Sequence, residues 1–178
     1  MIKYKLIRGR DYSKYYKVEK DENGKPYLIN SDKYISVSHQ GNWTLIAISD
    51  SPVGIDVEKI KKYKESLPKY LGLNNENSKM PKYLELNNVG NKMVKYLNNG
   101  NRKIFQCFGL NNREIFQCFG LNKGKKISKY VLFKEWTRRE AYIKKNNLKL
   151  SQIGLLNGKM DGKFKTFLVF PYVVSVSY

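Results

Sequence analysis

The stretch from Tyr34 to Glu58 constrains the fold more than any other part of the chain. It holds three short runs of apolar and polar residues separated by turn signals. Tyr34–Ser38 alternates, which puts Ile35 and Val37 on one face of an extended strand. Gln40-Gly41-Asn42 is a turn, and Trp43–Ile48 reads as a returning strand. Asp50-Ser51-Pro52 is a second turn leading into Val53–Glu58. Three strands on such short connections predict an antiparallel meander. In the last run Ile55 and Val57 share one face, and Asp56 and Glu58 share the other.

The middle of the chain is built from copies. Pro68–Asn75 (PKYLGLNN) recurs as Pro81–Asn88 (PKYLELNN), with a decaying third copy from Val94. Asn101–Asn111 is then repeated as Asn112–Asn122, the one difference being Lys103 against Glu114. Solenoid repeats have periods of about 20–50 residues and need three or more copies. These shorter units read instead as duplication inside a surface insertion, which loop-closure entropy tolerates. Cys107 and Cys118 lie in the two copies of one unit and read as reduced, structural thiols.

Periodicity returns after Ile127. Tyr130, Phe133, Trp136, Thr137, Ala141 and Ile143 mark Lys129–Lys145 as an amphipathic helix, with Asn146-Asn147 at its end. Gly158–Gly162 is a turn, and Phe164–Phe170 and Tyr172–Tyr178 read as strands around Pro171. The fold class is therefore α+β. No apolar run approaches the roughly 18–20 residues that span a bilayer. Met1–Leu6 lacks the pattern of a secretory signal, so a soluble, cytoplasmic protein is expected.

With 34 Lys and Arg against 15 acidic residues, the 178-residue chain carries a net charge of +19. Such a chain favours polyanionic partners, though lysines spread this evenly also fit a coding bias. The few acids are more informative. Asp56 and Glu58 leave one face of an otherwise apolar strand, where they raise the solvation cost unless they sit at an edge or hold a cation. Glu140, with Trp136 four residues before and Lys144 four after, lies on one helical face. Brought together, the three carboxylates would make a hard-oxygen site suited to Mg²⁺. Taken alone, the same residues also fit a solvent-facing strand and a surface i,i+4 pair.

Four motifs occur in order: Gly24-Lys25-Pro26-Tyr27, then Ile35–His39, then Val53–Lys59, then Trp136–Lys144. Together they resemble the 4′-phosphopantetheinyl transferase superfamily, specifically its larger, surfactin-synthetase-activating type. That type carries G-K-P, S-H, G-I-D-x-E and W-x-x-K-E-(A/S)-x-x-K stretches. The resemblance covers about residues 20–60 and 127–178. It implies a pseudo-twofold fold of two similar lobes, the first at 1–58 and the second at 59–178 with the repeats inserted at about 66–126.

The resemblance also implies the chemistry. Phosphopantetheine would pass from coenzyme A to a serine of an acidic acyl or peptidyl carrier protein, releasing 3′,5′-adenosine bisphosphate. Asp56, Glu58 and Glu140 would hold Mg²⁺ on the coenzyme A pyrophosphate. Lys144 would neutralise that pyrophosphate and, with Glu140, assist catalysis. Lys25, Ser38 and His39 would contact phosphates of the adenosine half, with Arg139 as a further phosphate contact.

Three departures from the pattern stand out. Arg139 occupies a position where the family has Lys, so the charge is kept and the donor geometry changed. The repeats fill the interval where the family often carries an F-x-x-x-E segment with a serine-activating Glu, and Glu114 is a poor match for it because its repeat partner is Lys103. The half-lobe that precedes the G-K-P stretch is short here. Self-association to complete the lobe, and a diverged or impaired relative that binds coenzyme A or carrier protein without efficient turnover, both stay open. A basic nucleic-acid-binding protein is the competing class, but it leaves Asp56, Glu58 and Glu140 without a purpose, since acids repel phosphate.

Overall fold

The computed structural model describes residues 1–64, 66–73, 83–87, 92–98, 101–107, 129–156, 159–169 and 171–178, with backbone alone for 83–107. Copies of one repeat take different forms. In the first, Pro68-Lys69-Tyr70 closes a short helix, α1 (Ser66–Tyr70). In the second, Tyr83–Asn87 is a strand, β7. It pairs antiparallel with β8 (Lys92–Asn98), which pairs in turn with β9 (Asn101–Cys107). Near-identical octapeptides thus follow their surroundings rather than local propensity. The second copy of the eleven-residue unit, with Cys118 and Glu114, lies outside the described residues.

The first sheet joins β1 (Ile2–Arg8), β5 (Trp43–Ser49) and β4 (Tyr34–Gln40) in the order β1-β5-β4, all antiparallel. Its face bearing Ile7, Ile35 and Ile46 packs under the segment that carries Tyr12, Tyr16, Val18 and Leu28. That segment includes a small hairpin of β2 (Val18–Lys20) and β3 (Pro26–Leu28), turned at Gly24 with φ 78°.

The expected meander is broken after two strands. β4 and β5 form the predicted hairpin, but β6 (Gly54–Lys59) leaves that sheet and pairs antiparallel with β11 (Tyr172–Ser177). With β10 (Phe164–Val169) they make a second sheet, ordered β10-β11-β6. The reason lies in the two faces of β6. Ile55 joins Ala47, Val53 and Val176 in a shared core, while Gly54, Asp56 and Glu58 turn to the helix above. A third strand in the first sheet's plane would bury that second face against nothing.

The helix is α2 (Lys129–Asn146), as its periodicity predicts. Asn147 ends it in the left-handed region at φ 55°, and the Leu148 N–H donates to the Ile143 carbonyl at 3.0 Å. This is a Schellman cap, completed by the packing of Leu148 around Ile143. The 3-10 turn Leu150–Leu156 then folds Ile153 and Leu156 back under α2. Mixed helix and small antiparallel sheets make the fold α+β. No described helix is long and apolar enough to cross a membrane.

Candidate active site

The two sheets meet where β4 runs beside β6, and side chains rather than a backbone ladder join them. Ser36, Ser38 and Gln40 project from one side of β4 by the period-two rule. The Ser36 hydroxyl accepts from the Ile55 N–H at 3.0 Å, and the Ser38 hydroxyl accepts from the Val57 N–H at 3.2 Å. Those N–H groups point away from β11 and would otherwise be buried donors without partners. Ser38 also donates to Asp56 Oδ1 at 2.8 Å, and Gln40 Nε2 donates to Glu58 Oε2 at 2.8 Å. The polar comb on β4 thus seats both carboxylates of β6.

α2 supplies the remaining groups, and Gly54 sets how close they come. A Cβ on Gly54 would fall 1.8 Å from the Ala141 carbonyl oxygen and 2.6 Å from the Lys145 nitrogen. Helix backbone therefore rests directly on strand backbone. At that separation Lys144 Nζ donates to Asp56 Oδ1 at 2.7 Å and lies 3.8 Å from Glu140 Oε2. Asp56, Glu58 and Glu140 each offer an oxygen, all within 4.8 Å of one another. The side chains set by the helical i,i+4 spacing and by the strand i,i+2 spacing thus meet at one place.

The electrostatics of this cluster favour a cation. Burial, aided by Asp56 and Glu58 and opposed by Lys144 and Trp136, pushes Glu140 up to about 7. Burial and Asp56 likewise hold Glu58 above the usual carboxylate range. Asp56 is 2% exposed, and its Oδ2 is fully buried with no hydrogen-bond donor among the described residues. A buried carboxylate oxygen without a donor is costly. When all three acids are ionised, negative charge stays in excess even after Lys144 and the exposed Lys61, 3.8 Å from Glu58, are counted. A hard metal ion fits this donor set: oxygen ligands only, on acids drawn together at one place and with one carboxylate oxygen already desolvated.

Three other predicted residues sit differently. Arg139 was expected to reach phosphate, but it is 2% exposed and turned to a different side of α2 from Glu140. Its guanidinium donates to Glu135, to the Ile153 carbonyl at 3.0 Å and to the Leu71 carbonyl at 2.7 Å. It is a buried pin between α2, the 3-10 turn and the loop after α1, because one helical step from Glu140 rotates the side chain by about 100°. Ser38 is 4% exposed and spends its hydroxyl on Asp56 and Val57, which replaces the expected phosphate contact. Lys25 donates to the Lys145 carbonyl at 3.2 Å, complementing the negative end of α2.

His39 stays at the rim. Its Nδ1 is 2.7 Å from the Thr44 hydroxyl and its ring tilts against Tyr12. Burial and the positive fields of Arg10, Lys144 and Lys20 hold it below the ordinary histidine range. A cluster of cations around one imidazole marks an anion-attracting rim beside the acids. On the other side of Glu58 a cavity of about 480 Å³ opens between Lys61, Lys64, Tyr70, Phe133 and Trp136.

With this geometry in place, similarity to known proteins is informative. No family model matches the chain. A segment of 41 residues, 22% of the chain, is 44% identical to a 4′-phosphopantetheinyl transferase of Bacillus subtilis. Segments of 43 and 44 residues are 44% and 43% identical to the transferases gsp of Aneurinibacillus migulanus and psf-1 of Bacillus pumilus. These matches support the 4′-phosphopantetheinyl transferase superfamily. The matched segments span under a fifth of those relatives, 18%, 18% and 19% of their lengths.

Gln40 and Gly54 escaped the sequence reading as working parts of the site. Both had a signal. Gln40 shares a strand face with Ser38, and Gly54 precedes the acidic pair on the face that must admit a helix.

Proposed function

We propose that this chain transfers 4′-phosphopantetheine from coenzyme A to a serine of an acidic acyl or peptidyl carrier protein, with Mg²⁺ in the acidic cluster. The observation that carries this reading is the convergence of Asp56, Glu58 and Glu140 under Lys144, with Asp56 Oδ2 buried and without a donor. The similarity to transferases supplies the reaction class.

Asp56, Glu58 and Glu140 would hold the ion, which when bound supplies a Lewis acid for phosphoryl oxygens. Lys144 stands beside that position with its ammonium fixed by Asp56, ready to offset charge on the pyrophosphate. His39 faces the rim that Arg10 and Lys20 make positive, a suitable seat for the phosphates of the adenosine half, with Lys25 near the end of the same helix. The carrier serine oxygen forms a bond to the β-phosphorus as its proton is released to solvent, the pyrophosphate P–O bond breaks, and 3′,5′-adenosine bisphosphate leaves with the bonding pair. The net charge of +19 favours encounter with an acidic carrier. The two sheets meeting at β4 and β6 are what a two-lobed, pseudo-twofold transferase would place around its cleft.

The test is to incubate the full chain with coenzyme A, Mg²⁺ and apo carrier proteins of fatty-acid, polyketide and peptide synthesis, and to weigh the carriers. Addition of phosphopantetheine, lost on removal of Mg²⁺, supports the reading. Coenzyme A binding without any product would instead identify a binding relative that does not turn over.

A further inference from the structure

Each strand carboxylate of the cluster has one oxygen already engaged. Asp56 Oδ1 accepts from Ser38 at 2.8 Å and Lys144 at 2.7 Å, leaving Oδ2 alone. Glu58 Oε2 accepts from Gln40 Nε2 at 2.8 Å. Lys61 lies 3.8 Å from that same oxygen, but its side chain is 63% exposed and contributes little that solvent does not screen. Gln40 is the better-fixed partner. It ends β4 half-buried, held by its pairing to Trp43 across the hairpin.

A carboxylate with one oxygen held by a fixed donor has fewer lone-pair directions left and is less free to turn both oxygens to one cation. This matters differently to different ions. Ca²⁺ takes roughly six to eight oxygens at about 2.3–2.6 Å and often fills its shell with two-oxygen carboxylates, whereas Mg²⁺ needs about six at 2.0–2.1 Å. We propose that Gln40 is a specificity-determining residue for the cation, withholding Glu58 Oε2 so that the site prefers a small six-coordinate ion over Ca²⁺. The inference rests on the metal reading given above. Ser38 does the corresponding work for Asp56, but it also seats β6 through the Val57 N–H, so Gln40 is the position where selectivity separates from folding.

The experiment uses the full chain without coenzyme A. Free Mn²⁺ is followed by electron paramagnetic resonance, with Mg²⁺ and Ca²⁺ as competitors, in wild type, Gln40→Met and Gln40→Asn. Met keeps the length and lacks the donor; Asn keeps the amide but falls short. Wild type is expected to favour Mg²⁺ over Ca²⁺, and both variants to shift that ratio toward Ca²⁺ by about tenfold, the scale on which groups behind a metal's ligands act. Circular dichroism and thermal unfolding should stay near wild type. A purely structural role would weaken all three ions together and leave the ratio alone. An unchanged ratio in folded variants overturns the inference and leaves the cation site standing. So does a wild type that binds Ca²⁺ as tightly as Mg²⁺, with no variant needed. A wild type that binds none of the three ions overturns this inference and the metal reading together.

Discussion

Lys144 and Asp56 lie 88 residues apart in the chain and meet at 2.7 Å, joining the helix to the edge strand of the second sheet. Asp56's side chain is 3% exposed and Lys144's 29%, so the pair is held largely out of solvent. Hydrogen bonds to charged groups contribute about 1.5–3 kcal/mol when one partner is buried. Lys144→Met should therefore lower stability in urea unfolding by about 2 kcal/mol. It should also reduce transfer by at least about a hundredfold, as loss of a preorganised charge does. Divalent cation should recover part of the stability and none of the transfer. A Lys144→Met protein that transfers at the wild-type rate would remove Lys144 from the chemistry.

Glu140 gives the apo protein a pH dependence whose sign is fixed. Its carboxyl sits near 7 in the fold and 4.5 without it. Between those values the folded chain keeps a proton that the unfolded chain has lost, so stability falls as pH rises through this window and is lowest above it. The difference is on the order of 3 kcal/mol. Glu140→Gln should flatten the decline and be more stable than wild type at pH 8, while losing cation binding. Melting temperatures from pH 4 to 8.5, with and without Mg²⁺, decide this. Added Mg²⁺ should stabilise wild type most above neutrality and leave Glu140→Gln unmoved.

Gly54→Ala tests the close approach of helix and strand. The added methyl would meet backbone on the helix side, which cannot rotate away as a side chain could. Overpacking of this kind costs about 1–3 kcal/mol. The displacement should also separate Glu140 and Lys144 from β6. Mn²⁺ affinity is expected to fall together with the melting temperature. Wild-type cation affinity in Gly54→Ala would show that the helix can shift without disturbing the cluster.

Arg139 separates a buried anchor from a ligand contact. Arg139→Lys keeps the charge but cannot bridge the Ile153 and Leu71 carbonyls as a planar fork does. A stability loss of about 2–4 kcal/mol is expected. The affinity of the remaining folded protein for coenzyme A, measured by calorimetry at low temperature, should match wild type. A selective loss of that affinity with stability retained would restore the phosphate role instead.

These residues also show where the sequence was legible. Asp56 with Glu58, and Glu140 with Lys144, could each be read as sharing a face from the strand and helix periods, while their meeting in one site was implied only by the resemblance to the transferases. Arg139 could not. Its direction depends on carbonyls at Leu71 and Ile153, and no local pattern announces a carbonyl 68 residues away. The contact of Lys25, expected at phosphate, with the end of α2 is likewise one that no local pattern announces. The meander failed at β6 because turn signals fix the reversal of a chain but not which sheet receives the next strand. The duplicated octapeptide makes the point most sharply, as one copy ends a helix and the other forms a strand.

The hydroxyls of Ser36 and Ser38 do more than orient an acid. By taking the outward N–H groups of Ile55 and Val57 they close a strand edge that no backbone ladder covers. Cut away from β4, as in a fragment beginning at Trp43, β6 would present a bare rim of donors flanked by Ile55 and Val57. Such a rim recruits strands from other molecules. The second half of this chain is therefore expected to form intermolecular sheet when made alone, and to stay monodisperse only in the company of the first.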